Sequence, residues 1–179
     1  MKRLAITIFV LLVGNLAAAQ PKEILKIGAT QLFLGRPEQR ILADLHHDGY
    51  VAVPSPMSAK GGEQSYLVKT RDGTIAVGAV TFRKHTLVRA IKQYRLPMDA
   101  SGKTVDTSVA LAHTINAAAG DLMTTSQECH VGLATNDQDL IESTHTHCGS
   151  LTLSISIKKK PDDLNSKQQV EVYVTLSGS

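Results

Sequence analysis

Two stretches near the end of the chain alternate strictly between apolar and polar residues. "GSLTLSISI" (149–157) places Leu151, Leu153, Ile155 and Ile157 on one side, and Ser150, Thr152, Ser154 and Ser156 on the other. "QVEVYVTLS" (169–177) does the same, with Val170, Val172, Val174 and Leu176 against Glu171, Tyr173, Thr175 and Ser177. Successive side chains of a strand point to opposite faces, so a period of two can only be satisfied by a sheet with one buried face. One buried and one wet face is the pattern of antiparallel pairing. The fold must therefore supply something apolar to cover one side of these strands.

Helical patterns supply the cover. In "RPEQRILADLHHDG" (36–49), Ile41, Leu42 and Leu45 share a face. Pro37 suits the first helical position, and Gly49 stands where a helix stop belongs. Strands are expected after it at 50–53, 66–71, 74–83 and 87–94, with Asp72-Gly73 as a hairpin turn. Residues 54–64, with two prolines and two adjacent glycines, read as an exposed loop. A second helix, capped by Asp106 or Thr107, runs to about Leu122 with Leu111, Ile115, Ala118 and Leu122 on its packing stripe. The expected fold class is α+β, with two helix-plus-antiparallel-sheet units in tandem. The organisation is a signal peptide over 1–19, a first unit over 20–94, a linker over 95–104 and a second unit over 105–179. Whether these make one domain or two stays open.

The start of the chain is an address rather than part of this fold. "MKRLAITIFVLLVGNLAAA" has a basic opening, a short apolar run and small residues before a cleavage point between Ala19 and Gln20. The apolar run falls short of the roughly 20 residues that span a bilayer. No transmembrane segment is expected once the signal is removed, and the protein is expected to be periplasmic or secreted. Loss of Lys2 and Arg3 leaves seventeen basic side chains against sixteen acidic ones, so the net charge falls from +3 to +1. A near-neutral chain has no basic face for nucleic acid. With no Trp, three Phe and four Tyr, it also lacks the aromatics of a stacking platform.

The segment "FLGRPEQRILADL", followed by "YVAVP", "YLVKT" and "VGAVTFRKHTLVRAIKQY", resembles the helix-then-meander unit of small bacterial envelope proteins. These are the outer-membrane-assembly lipoproteins of the SmpA/OmlA type and the secreted beta-lactamase inhibitory proteins. The resemblance covers residues 27–94 and implies a protein-binding module, with another envelope or secreted protein as partner. Gln20 stands where the lipoproteins carry their lipidated cysteine. No active residue is implied.

Cys129 and Cys148 are the only cysteines, and two cysteines in an exported chain oxidise to one disulfide. A turn-rich centre at Asn136–Asp139 folds the intervening residues into a hairpin that sets the two opposite each other. In "ECHVGLA", Cys129 shares the apolar side with Val131 and Leu133, and His130 points away. An unbroken strand through Leu151 would turn Cys148 outward, so a bulge at Gly149 is expected to restore it. The bridge closes a loop worth roughly 3 kcal/mol.

On the outer face of that hairpin, His130, His145 and His147 can cluster, and three imidazoles can hold Zn²⁺ or Cu²⁺. A metal-binding protein or metalloenzyme built on them is the alternative function. A thiolate site of Cys129, His130, His147 and Cys148 competes with the disulfide. The remaining histidines are plainer: His46 and His47 end a helix, His85 lies in a hairpin turn and His113 faces solvent. No HExxH or G-x-S-x-G spacing is present. Ser156–Lys159 fits S-x-x-K only formally, because it lies in an alternating strand. No cofactor and no catalytic residue is expected. The sequence reads as an exported, non-catalytic binding protein.

Overall fold

The computed structural model describes residues 23–55, 62–96, 107–123, 128–136, 141–158 and 169–178. The expected signal segment, residues 56–61 and most of the expected linker lie outside them. The elements run β1 (Leu25–Ile27), β2 (Thr30–Leu32), α1 (Glu38–His47), β3 (Tyr50–Pro54), β4 (Glu63–Thr70), β5 (Ala76–Arg83) and β6 (Thr86–Tyr94). After these come α2 (Thr107–Leu122), β7 (Cys129–Asn136), β8 (Ile141–Cys148), β9 (Leu151–Lys158) and β10 (Gln169–Ser177). The fold is α+β, and eight strands form one antiparallel sheet in the order β3-β4-β5-β6-β10-β9-β8-β7. Each helix precedes a four-strand meander, and the two meanders meet where β6 pairs with β10.

Register fixes which residues share a face. One row crosses the sheet from edge to edge through Pro54, Tyr66, Val80, Ala90, Leu176, Leu151, Cys148 and Cys129. Both helices and the β1–β2 hairpin pack on this side. Ile41 and Leu45 of α1, Ala118 and Leu122 of α2, and Leu25, Ile27 and Leu32 of the hairpin join Val68, Val80, Phe82, Val172 and Val174 in one core. Gly78 in β5 lets the hairpin come close. A Cβ there would stand 2.2 Å from the carbonyl oxygen of Ile91 and 3.0 Å from Ile27, so this strand position accepts glycine alone.

Several local expectations are corrected. Pro37 is the N-cap, not the first helical residue: its ψ of 137° is extended. A bridge to Thr86 holds it so, and helical geometry starts at Glu38. Thr107 is the first residue of α2 and Asp106 lies outside the described residues. The buried stripe of α2 is Ala110, Thr114, Ala118 and Leu122, while Leu111 and Ile115 flank it half-buried. Small side chains four apart let the helix settle onto β9 and β10, with the Thr114 hydroxyl donating back to the Ala110 carbonyl at 2.8 Å. Residue 63 already belongs to a strand, so the expected 54–64 loop is shorter. Asp72-Gly73 does lie between β4 and β5, but in a longer loop closed by the Thr70 amide on the Ile75 carbonyl at 2.8 Å. The Asp72 carboxylate accepts from the Thr70 and Thr74 hydroxyls.

Gly149 does not form a bulge. Leu151 pairs directly with Cys148, so Gly149 and Ser150 are a two-residue hairpin turn. Gly149 has φ +61°, the glycine-first pattern of a type II′ turn. The chain reverses there, which puts Cys148 and Leu151 on the same face with no extra residue.

Candidate functional site

The face opposite the helices carries a second edge-to-edge row: Val53, Leu67, Ala79, Ile91, Thr175, Thr152, His147 and His130. Eight strands at about 4.8 Å spacing make this row roughly 34 Å long. Its four residues from β3–β6 are apolar and its four from β7–β10 are polar. Val53 and Leu67 are 39% and 36% exposed. That exposure follows from both helices lying on the other side of the sheet.

The polar half has its own order. The expected wet face is not wet at its centre: Ser154, Ser156 and Thr175 are buried. Each has at least one larger cross-strand neighbour. Ser154 lies between His145 and Tyr173, and Ser156 between Ser143 and Glu171. Buried hydroxyls need partners, and Ser154 finds one in His145 Nδ1 at 2.8 Å. The other nitrogen of that ring, Nε2, meets Ser143 Oγ at 3.0 Å. His147 Nδ1 lies 2.9 Å from Thr152 Oγ1, and the two imidazoles stack at 6.2 Å.

The structure brings the three expected histidines to one face, with His130 directly opposite His147. Among the described residues, however, no group of three His, Cys, Asp or Glu side chains is placed to hold a metal ion. His145 turns both nitrogens to serines and His147 turns one to a threonine.

Cys129 and Cys148 are joined as a disulfide, directly opposed in register with their Cα atoms 4.3 Å apart. The bridge removes the thiolate site from consideration. Cys148 is buried, yet Val131 and Leu133, on the same apolar side, are 71% and 83% exposed. Their facing is as expected and their burial is not: α2 packs on β9 and β10, and stops short of β7.

Two polar clusters escaped sequence reasoning, because each joins residues distant along the chain. Glu38, buried at the start of α1, accepts from Tyr66 Oη at 2.9 Å and lies 2.8 Å from His85 Nδ1. The Glu38 amide donates to the His85 carbonyl. These contacts hold a turn in which Lys84 and His85 both have positive φ, at 50° and 60°. Burial and then the neighbouring carboxylate push the Tyr66 phenol above its ordinary value. Under α2, Asp121 accepts from Lys92 Nζ at 2.9 Å and from Tyr94 Oη. Burial, followed by this carboxylate, raises the Tyr94 phenol well beyond the ordinary range. Both clusters dock a helix onto the sheet, and both lie on the helix side, away from the open row.

An open cleft of about 410 Å³ lies at the β5–β6 turn end, lined by Leu34, Arg83, Leu87 and Arg89 among others. Arg83 there is committed to Glu63. Among the described residues, no helix is long and apolar enough to cross a membrane. No protein-family model matches the chain, and no curated protein or solved structure matches it either.

Proposed function

We propose that this is an exported, non-catalytic protein-binding module that acts in the periplasm or outside the cell, with the open face of its sheet as the docking surface. The observation that carries this is the edge-to-edge row on the uncovered face. Its Val53–Leu67–Ala79–Ile91 half offers apolar area, and beyond the buried Thr175 its other half offers the Thr152 hydroxyl and the exposed His147 and His130 imidazoles. A surface with an apolar core and polar groups that fix orientation is what protein partners recognise. The disulfide fits an oxidising compartment, in keeping with the signal-like segment before Gln20. The helix-plus-meander order in both halves supports two tandem units fused edge to edge, the architecture implied by the likeness to envelope assembly lipoproteins and secreted inhibitory proteins.

The test is capture from an envelope extract with immobilised mature protein, compared with Leu67→Asp and Ile91→Asp variants of unchanged circular dichroism. A partner retained by the wild type and lost by both variants supports the reading. Equal retention by all three, or turnover of a substrate in a broad hydrolase screen, overturns it.

A further inference from the structure

Among the described residues, the edge strand β7 is unguarded. Strands at sheet edges are normally protected by charge, proline, a bulge or a covering element. Between Cys129 and Asn136 there is no Lys, Arg, Asp, Glu or Pro, and the pairing with β8 runs through eight residue pairs without a shift. The opposite edge strand β3 ends in Pro54 and packs against α1.

The hydrogen-bonding phase of β7 follows from the disulfide pair. A Cα separation of 4.3 Å marks Cys129–Cys148 as a narrow, non-hydrogen-bonded pair. Alternation makes Val131–Thr146 and Leu133–Thr144 the same type. The backbone N–H and C=O groups of Val131 and Leu133 therefore point away from β8, toward the open edge. Their side chains stand exposed on the helix side. Such an edge accepts an extended, uncharged strand with apolar residues at alternate positions.

We infer that the occupant is a second copy of β7, paired antiparallel about a two-fold axis through Gly132. The segment "HVGLA" is complementary to itself in that register. Val131 of one copy faces Leu133 of the other on both sides of the axis, and each such pair exchanges backbone hydrogen bonds. Gly132 meets its own copy in a narrow pair, and nothing lies within 4 Å of where its Cβ would be. His130 faces Ala134 of the other copy, so the strand's only titratable side chains do not oppose each other. With no formal charge on the strand, two copies meet no like-charge penalty. This dimer goes beyond the protein-binding proposal and does not rest on it, since the open face of each sheet stays free.

The test has two arms on the mature, oxidised protein. Sedimentation should show a concentration-dependent dimer for the wild type, and at least tenfold weaker association for Val131→Lys. Residue 131 is exposed, so circular dichroism and an intact Cys129–Cys148 bridge should report an unchanged fold. In the second arm, Gly132→Cys should form a covalent dimer under mild oxidation. His130→Cys should not, since the register sets its two copies roughly 13 Å apart at 3.3 Å per residue. A wild type that stays monomeric, a dimer unaffected by Val131→Lys, or equal cross-linking at both positions overturns the inference.

Discussion

At one edge of the sheet, β3 lies beside α1, and Tyr50 and Tyr66 pack against a core of large side chains that includes Ile41, Leu45 and Phe82. At the other edge, no helix among the described residues packs substantially on β7. Val131 and Leu133 stand exposed, and the strand is tied to β8 by ladder hydrogen bonds and by Cys129–Cys148. The same arrangement of helix and meander thus closes its two ends differently. α1 is followed at once by β3 and reaches the outermost strand of its meander. α2 instead lies over β9 and β10, near the middle of the sheet, where Asp121 anchors it to Lys92 and Tyr94. A helix placed there cannot shield the far edge, and a covalent staple holds what packing does not reach.

The largest effect is expected at the packed end. Ile41→Ala should cost about 2–5 kcal/mol, the range for truncating a fully buried aliphatic residue. The loss is measured as a lowered urea midpoint with the disulfide intact. A loss below 1 kcal/mol would mean that α1 does not close this edge by packing.

A smaller effect is expected at the start of α1. Glu38→Ala removes the acceptor shared by Tyr66 and His85 and should cost about 1–2 kcal/mol. The conservative Glu38→Gln should recover part of it, because an amide oxygen still accepts from Tyr66. Equal losses for the two variants would argue against the hydrogen-bonded role.

The smallest effect lies at the exposed β4–β5 loop. Hydrogen bonds from Thr70, and then from Thr74, hold the Asp72 carboxyl down to about 2, against 3.8 for an ordinary aspartate. Its folded value is below its unfolded one, so its contribution to stability is present above pH 3.8 and is lost as the pH falls toward 2. Carbon-detected titration of Asp72 should give a midpoint near 2. Thr74→Ala should move it upward, and an unmoved midpoint would contradict the hydrogen-bond cause.

The parts of the fold that could be read from the sequence are those set by local pattern. Alternation at Leu151–Ile157 and Val170–Leu176 reports facing directly, and the number and spacing of Cys129 and Cys148 report the cross-strand bridge. What could not be read depends on residues far apart along the chain. The β6–β10 junction, which turns two meanders into one sheet, is set by long-range packing that leaves no short-range trace. Gly149 satisfies a bulge and a tight turn equally well, and only the pairing of Leu151 with Cys148 decides between them. Ser154 and Ser156 look solvent-facing in a strand pattern, yet His145, Tyr173 and Glu171 on neighbouring strands bury them. On the open face, the apolar row was hidden because Val53, Leu67, Ala79 and Ile91 come from four strands whose register no single segment specifies. His145 and His147 were the reverse: conspicuous along the chain, and bonded to Ser143, Ser154 and Thr152 in the fold.

The claim that packing closes one edge and a disulfide the other is tested most directly by native-state amide exchange on oxidised and reduced protein. A staple worth roughly 3 kcal/mol corresponds to about a hundredfold in an opening equilibrium. Reduction should therefore lower protection of the His130, Gly132 and Ala134 amides by about that factor, and that of the β3 amides by less than tenfold. Equal loss of protection at both edges, or none in β7, would contradict the account.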